Sequence, residues 1–92
     1  MNEWNIGDKF TDEYRGADRR NMQFQIVRFL GQPTLTDADK KLIEDAPERK
    51  VGDIVYVQTN GNQRIENVAT VEYANMNWRK ARGGGFGIGG IR

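Results

Sequence analysis

The sequence has 92 residues, of which 37% are hydrophobic and 29% charged, and its formal net charge is +1. A chain of this length forms one domain around one core, and so small a net charge gives no general attraction to nucleic acid or membrane. It contains no Cys, His or Ser, so the commonest nucleophiles, the commonest base near neutral pH and thiolate zinc ligands are missing. We therefore expect a protein that is not an enzyme, with no catalytic residue, metal site or small-molecule cofactor.

The first residues are acidic and lack the apolar stretch of a signal peptide, and no run approaches the length of a membrane span. The sequence therefore predicts a cytoplasmic protein without membrane contact. If a phage encodes it, we expect it in the host cytoplasm or the virion, because small phage accessory proteins are often of this size and composition.

The first third of the chain predicts two strands. Residues 6–10 indicate a turn that enters a short strand, and residues 14–20 are typical of a loop. Residues 22–30 form a clear strand candidate with apolar side chains at both odd and even positions, so we expect it to be covered on both faces. Phe24, Ile26 and Leu30 fall on one face of this strand, and Val27 and Phe29 fall on the other.

Residues 36–46 predict the one convincing helix. Thr36 is placed to cap its N-terminus, and Pro47 disfavours helical geometry beyond Ala46. Its narrow apolar stripe (Ala38, Leu42 and Ala46, with Ile43 beside it) predicts docking against a sheet. The spacing of Asp37, Asp39 and Glu48 superficially resembles a calcium loop, but Leu42 stands at the glycine position, so no calcium site is predicted.

A second strong strand is predicted over residues 51–59, which are rich in β-branched side chains. Asn60-Gly61 follows, the strongest short hairpin signal. Residues 65–78 then predict a returning strand with a bulge or bend near Ala74-Asn75. These elements together predict a mainly β fold, a small, partly open β-barrel of the SH3-like or OB-like kind, over residues 1–82.

Residues 83–92 are rich in glycine and cannot fold alone, and they are called the C-terminal arm below. Pure linkers rarely carry three large apolar residues, and an extended chain places Phe86 and Ile88 on one face. The leading hypothesis is therefore a protein–protein interaction or assembly module whose arm docks on a partner or a sister subunit. The predicted partner-binding residues are Phe86, Ile88, Ile91, Arg79, Lys80 and Arg82.

The alternative is a single-stranded nucleic-acid-binding protein. Where arginines alternate with aromatic residues, the arginines can pair with phosphates and the rings can stack on bases. The last fourteen residues contain four basic residues and no acidic one. The residues predicted for this role are Arg15, Arg19, Arg20, Tyr14 and Trp78, together with the basic residues that precede the arm.

Overall fold

A computed structural model describes residues 3–15, 22–59 and 64–81. These residues form five strands and two α-helices, which confirms the mainly β prediction. In chain order the elements are β1 (Lys9–Asp12), a 3-10 turn (Glu13–Arg15), β2 (Phe24–Phe29), α1 (Asp37–Asp45), β3 (Ile54–Gln58), β4 (Glu66–Ala69), α2 (Val71–Asn77) and β5 (Trp78–Lys80).

The strands form a single antiparallel sheet in the order β4-β3-β2-β1-β5. Strands β1 to β4 form a meander, and β5 returns to pair with β1. In the described part of the chain β4 and β5 are the two edges and do not pair with each other. The sheet is therefore open and is not a closed barrel. The predicted Asn60-Gly61 turn between β3 and β4 and the C-terminal arm lie outside the described residues.

The main core lies on one face of the sheet, called the aromatic face below, where rings from four strands meet. Phe10 is paired with Phe24 across the sheet, and residues directly opposed on neighbouring strands point to the same side. Tyr56 and Trp78 join them, with Trp78 stacked on Phe10. Each ring buries a large apolar area, so this cluster supplies a core that the few aliphatic residues alone would not.

Strand β2 contains a register shift between Ile26 and Arg28. Val27 is the extra residue of this bulge, and an extra residue changes which face the following side chains reach. Phe29 consequently packs against the aromatic cluster together with Ile26. The predicted placement of Phe29 on the opposite face from Ile26 is wrong for this reason, and Arg28 occupies that opposite face instead.

Helix α1 is confirmed, and Thr36 caps it as predicted, with its side-chain oxygen accepting from the Asp39 N–H at 3.2 Å. The predicted docking stripe is wrong in one respect. Ala38 is exposed, and the buried residue of α1 is Asp39. The helix is therefore anchored through a carboxylate, with Leu42 and Ile43 only half-buried.

The carboxylate of Asp39 joins α1 to the sheet. One oxygen accepts from Arg28 Nε at 2.9 Å, and the other accepts from the Gly31 N–H at 3.0 Å. Arg28 also donates both terminal nitrogens to Glu66 on β4, at 2.6 and 2.9 Å. Burial opposes ionisation of Asp39, but the hydrogen bonds from Arg28 and Gly31 outweigh it and lower its pKa. The hydrogen bonds to Glu66, and those to Asp39, raise the pKa of Arg28.

The predicted bent strand over residues 65–78 is wrong, because its second half is helix α2. Thr70 caps this helix by accepting from the Tyr73 N–H at 3.0 Å. Val71, Ala74 and Trp78 follow the spacing i, i+3, i+7, which places them on one side of a helix. Ala74 is fully buried in the aromatic cluster. Helix α2 thus carries the chain from one edge of the sheet to the other across the core.

Candidate protein-docking surface

The predicted contact residues divide between described and undescribed parts of the chain. Six lie outside the described residues: Arg19, Arg20, Arg82, Phe86, Ile88 and Ile91. Arg15 is the last residue of the 3-10 turn. The remaining four, Tyr14, Trp78, Arg79 and Lys80, have defined surroundings that differ sharply from one another.

Arg79 and Lys80 do not act as a pair, because strand alternation places neighbouring side chains on opposite faces. Lys80 Nζ donates to the carbonyl oxygen of Glu3, lies 3.3 Å from a carboxylate oxygen of Asp8, and lies 5.4 Å from the ring centroid of Trp4. Its charge is therefore engaged within its own chain. Arg79 is exposed and remains the more accessible cation of the two.

Trp78 and Tyr14 also differ from each other, because one ring is buried and the other is exposed. Trp78 is only 4% exposed, and its ring stacks on Phe10 with the centroids 3.7 Å apart. Stacking on a nucleic-acid base requires an open ring face, which a buried side chain does not offer. Tyr14 is 75% exposed and is available to a partner.

Tyr14 belongs to a tyrosine patch that also contains Tyr73 and Met76. The buried Asp12 contacts both residues, since it accepts from the backbone N–H of Tyr14 and from the side-chain hydroxyl of Tyr73, each at 3.0 Å. The two rings meet edge to face with their centroids 6.3 Å apart. Met76 lies three residues beyond Tyr73 on α2 and is 82% exposed. Aromatic and Met side chains are enriched at protein interfaces, so this patch has the composition of a docking surface.

A groove of about 420 Å³ adjoins the patch, and Tyr73 lines it as well. Its apolar surface includes Tyr56 and Ala69, and the loop before β3 supplies its charged wall. Groove and patch therefore form one continuous surface with Tyr73 at its centre. The charged lining residues are Glu48, Arg49 and Asp53.

The charged residues that line the groove favour the binding of a positively charged group. Arg49 is directed inward, with one terminal nitrogen donating to the Leu42 carbonyl at 2.7 Å. Glu48 is exposed, and one oxygen of Asp53 accepts from the Lys50 N–H at 3.0 Å. The groove lining carries two carboxylates and one guanidinium, an excess of one negative charge, so the groove suits a segment that combines apolar and basic side chains.

A second cavity of about 500 Å³ lies near the C-terminal end of β5. It is lined by Thr11, Gln23, Arg79, Lys80 and Ala81. Thr11 donates to Glu13 at 3.0 Å, so an acid stands beside it. Four of its five lining residues carry polar side chains.

Sequence reasoning identifies Tyr14 and misses Tyr73 and Met76. The strand predicted over residues 65–78, with its bend near Ala74-Asn75, would bring both side chains to the core. The available signal is Thr70, a good cap residue followed by the helical spacing of Val71 and Ala74.

No group of three or more potential metal-ligating side chains occurs among the residues with defined structure. Neither described helix is long and apolar enough to span a bilayer. Comparison with models of known protein families, with curated proteins and with solved structures gives no match.

Proposed function

We propose that this protein is a non-enzymatic protein-interaction module that binds a partner segment along the tyrosine patch and the adjoining groove. One observation carries the proposal. The exposed ring of Tyr14 meets, edge to face, the ring of a second tyrosine that lines a groove. An exposed tyrosine side chain has only two torsions to fix, so it binds at low entropic cost.

The finer fold assignment belongs to the same proposal. A four-stranded meander and a fifth strand that returns through a short helix to pair with β1 support an SH3-like arrangement over an OB-like one. A scaffold of this kind holds loops and a short helix at one end of a sheet, where they form a surface for a partner.

The surroundings of the buried acids support a role without catalysis. Two carboxylates are buried in the part of the chain that the structure describes, and each accepts hydrogen bonds from the protein, Asp12 from Tyr73 and Asp39 from Arg28. Both therefore hold structural elements together. The sequence has no His, Cys or Ser, and these side chains are the ones that most often act as general base or nucleophile near neutral pH.

A displayed library of random peptides, selected against the full chain carrying Phe86→Ala and Ile88→Ala, tests the proposal. Those substitutions keep the chain's own arm from competing for the groove. We expect enriched peptides that combine an aromatic or aliphatic residue with Lys or Arg. Their binding should weaken about tenfold on Tyr14→Ala, because the truncation removes an exposed anchor ring.

Glu44→Ala is the matched control, because Glu44 is exposed on α1 and does not line the groove. Enriched peptides that bind the Tyr14→Ala and Glu44→Ala variants equally well would contradict the proposed surface. A library that yields no specific peptide would contradict the function itself.

Single-stranded nucleic-acid binding is the second candidate, and the observation in its favour is a pair of exposed cations. Lys9 and Arg79 lie on the neighbouring strands β1 and β5, on the face opposite the aromatic core. Among the described residues neither pairs with a carboxylate. The second cavity lies beside them, and the basic residues that follow β5 would extend the same site.

This second candidate predicts binding of a labelled oligonucleotide that weakens steeply with salt. Arg79→Gln should reduce the slope of log affinity against log salt by roughly one, and Lys41→Gln on exposed helix α1 should leave it unchanged. Affinity that is insensitive to salt, or an equal response to both substitutions, would remove this candidate.

A further inference from the structure

Strand β4 is an edge of the sheet, and its last residues line the groove. We propose that the partner is an extended segment with apolar and basic side chains, which pairs with β4 as a sixth strand and places a side chain in the groove. This inference rests on the proposed function, since it names the kind of segment that the same surface binds.

The hydrogen bonds between β2 and β3 determine which way the main chain of β3 points. The Thr59 N–H donates to the Gln23 carbonyl at 2.8 Å, and the Leu30 N–H donates to the Asp53 carbonyl at the same distance. Main-chain groups alternate in direction along an antiparallel strand. The odd-numbered residues of β3 therefore bond to β2, and the even-numbered residues bond to β4.

The same alternation directs half of the main chain of β4 away from the sheet. The residues of β3 that point toward β4 are paired with Asn67 and Ala69, so these two residues use their main-chain groups within the sheet. Glu66 and Val68 consequently direct N–H and C=O outward, and no backbone hydrogen bond from the described residues reaches them. Two such donor and acceptor pairs, two positions apart, are the template on which an extended segment adds to a sheet.

Strand β4 lacks several of the features that protect a free edge. Proteins keep edges from pairing with Lys side chains, with Pro or with β-bulges, among other features. Strand β4 reads Glu-Asn-Val-Ala, and its pairing with β3 has no register shift. Its one charged side chain, Glu66, accepts two hydrogen bonds from Arg28, at 2.6 and 2.9 Å, so this charge is already paired.

The opposite edge, strand β5, is a poorer template. The Ala81 N–H donates to the Lys9 carbonyl at 2.8 Å, so the alternation also directs Arg79 toward β1. The Trp78 N–H donates to a carbonyl of α2 as its C-terminal cap. Of the three β5 residues, Lys80 alone directs both main-chain groups outward, and Lys is a side chain that opposes edge pairing.

The groove selects the side chains of the added strand. Val68 and Ala69 line the groove, so a segment paired with β4 reaches it without leaving the strand. A side chain that enters there meets the apolar surface of Tyr56 and Ala69, with Glu48 and Asp53 beside it. An apolar residue with Lys or Arg close by matches this combination of surface and charge.

Peptides with methylated backbone nitrogens test the strand pairing directly. The probe is the tightest peptide from the library selection described above, remade with one N-methyl group at a time and bound to the same chain carrying Phe86→Ala and Ile88→Ala. An added strand points alternate N–H groups at β4. Methylation should therefore weaken binding about tenfold at every second position and hardly at all between them. Losses without a two-residue period would overturn the proposal.

Val68→Pro removes one outward N–H from the protein. Proline is tolerated where the N–H of an edge strand points away from the sheet, and thermal unfolding checks that the variant folds. We expect binding of the peptide to weaken about tenfold. Val68→Ala keeps the N–H and is the matched control for the side chain, with a loss of roughly twofold. Equal losses for the two variants would contradict pairing with β4. If Val68→Pro does not fold, the methylated peptides decide.

Amide hydrogen exchange measured by NMR gives a further readout. The amides of Glu66 and Val68 should exchange about tenfold more slowly when the peptide is bound, whereas the Lys80 amide on the opposite edge should be unaffected. Unchanged exchange at Glu66 and Val68 would overturn the proposal. If both amides are already slow in the unmodified chain without peptide, a segment of the chain itself occupies the edge, which overturns the assignment to a separate partner.

The two proposals fail in different ways. If the library peptides need Tyr14 for binding but methylation shows no alternation, the partner binds the patch and groove without joining the sheet, and the proposed function stands. If the library yields no specific peptide, both proposals fall together.

Discussion

The ring of Phe10 on β1 stacks on the ring of Trp78 on β5, with 3.7 Å between centroids and 18° between planes. This contact joins the strand that returns last to the strand that starts the sheet, and it lies at the centre of the aromatic cluster. Trp78 also ends helix α2 as its C-terminal cap residue. One residue, through its ring and its backbone N–H, therefore links β1, β5 and the helix that crosses the core.

We expect Trp78→Ala to unfold most of the protein. Truncating a buried tryptophan costs about 3–5 kcal/mol, which is much of the free energy of unfolding of a small domain. Trp78→Phe should cost only about 1–2 kcal/mol, because it keeps a ring and removes an indole N–H that has no hydrogen-bond partner. Urea denaturation monitored by circular dichroism measures both. Equal losses for the two variants would show that the ring contacts are unimportant.

The anchor of α1 predicts a dependence on pH. Asp39 has a lowered pKa in the folded state, so its contribution to stability is complete above the ordinary aspartate value of about 4 and is lost as the pH falls through the lower folded pKa. Asp39→Asn should cost about 2 kcal/mol at pH 7 and reduce the loss of stability in acid. The measurement is urea denaturation at a series of pH values.

Asp37→Asn is the control for that experiment, because Asp37 lies in the same first turn but is fully exposed. It should leave stability nearly unchanged, because solvent screens the interaction of an exposed charge with the helix dipole. An acid response that is identical in the native chain and the Asp39→Asn variant would contradict the assigned role of the buried carboxylate.

Removing the cap of α2 should weaken the helix that carries Tyr73. Thr70→Ala deletes the oxygen that accepts from the Tyr73 N–H, and the loss of a capping oxygen costs about 1 kcal/mol. Thr70→Ser keeps the oxygen and should cost clearly less. Thermal unfolding distinguishes the two variants, and a Thr70→Ser variant as unstable as Thr70→Ala would argue that the methyl group matters more than the cap.

Gly31 should be intolerant of a side chain. Its φ is +74°, and an added Cβ would lie 2.8 Å from a methyl carbon of Val51. Gly31→Ala should therefore cost about 2–3 kcal/mol, combining an unfavourable backbone angle with a clash. Gly7→Ala shares the positive φ, at +95°, but meets nothing within 4 Å, so about 1 kcal/mol is expected. Equal stabilities in chemical denaturation would show that the loop moves to accommodate the methyl group.

Elements whose sequence signals lie within the element or directly beside it were predictable from the sequence. Helix α1 carries its own cap at Thr36 and its own stop at Pro47, and β3 is a run of β-branched residues. Helix α2 was not predictable because seven residues are too few for periodicity to decide. Its sequence fits a bent strand as well as a helix, and burial of Ala74 against distant strands selects the helix.

The candidate site was predictable only in part, for a similar reason. Tyr14 is an aromatic residue in a loop-like stretch, which by itself indicates a possible contact. Tyr73 matters because its hydroxyl reaches Asp12, 61 positions away, and no local pattern reports a contact of that range. Local pattern likewise does not predict that Arg28 joins Asp39 and Glu66, which are 11 and 38 positions away.

A single residue, Thr70, separates β4 from helix α2, and β5 follows α2 with no residue between them. Its seven residues rise about 10 Å, and each residue added would turn everything that follows by about 100°. Helix α2 thus links the two edge strands of the sheet with a fixed length. A single inserted residue in this helix would rotate Trp78 out of the core. Length variation in related chains should therefore concentrate between α1 and β3, where a surface connection can absorb it.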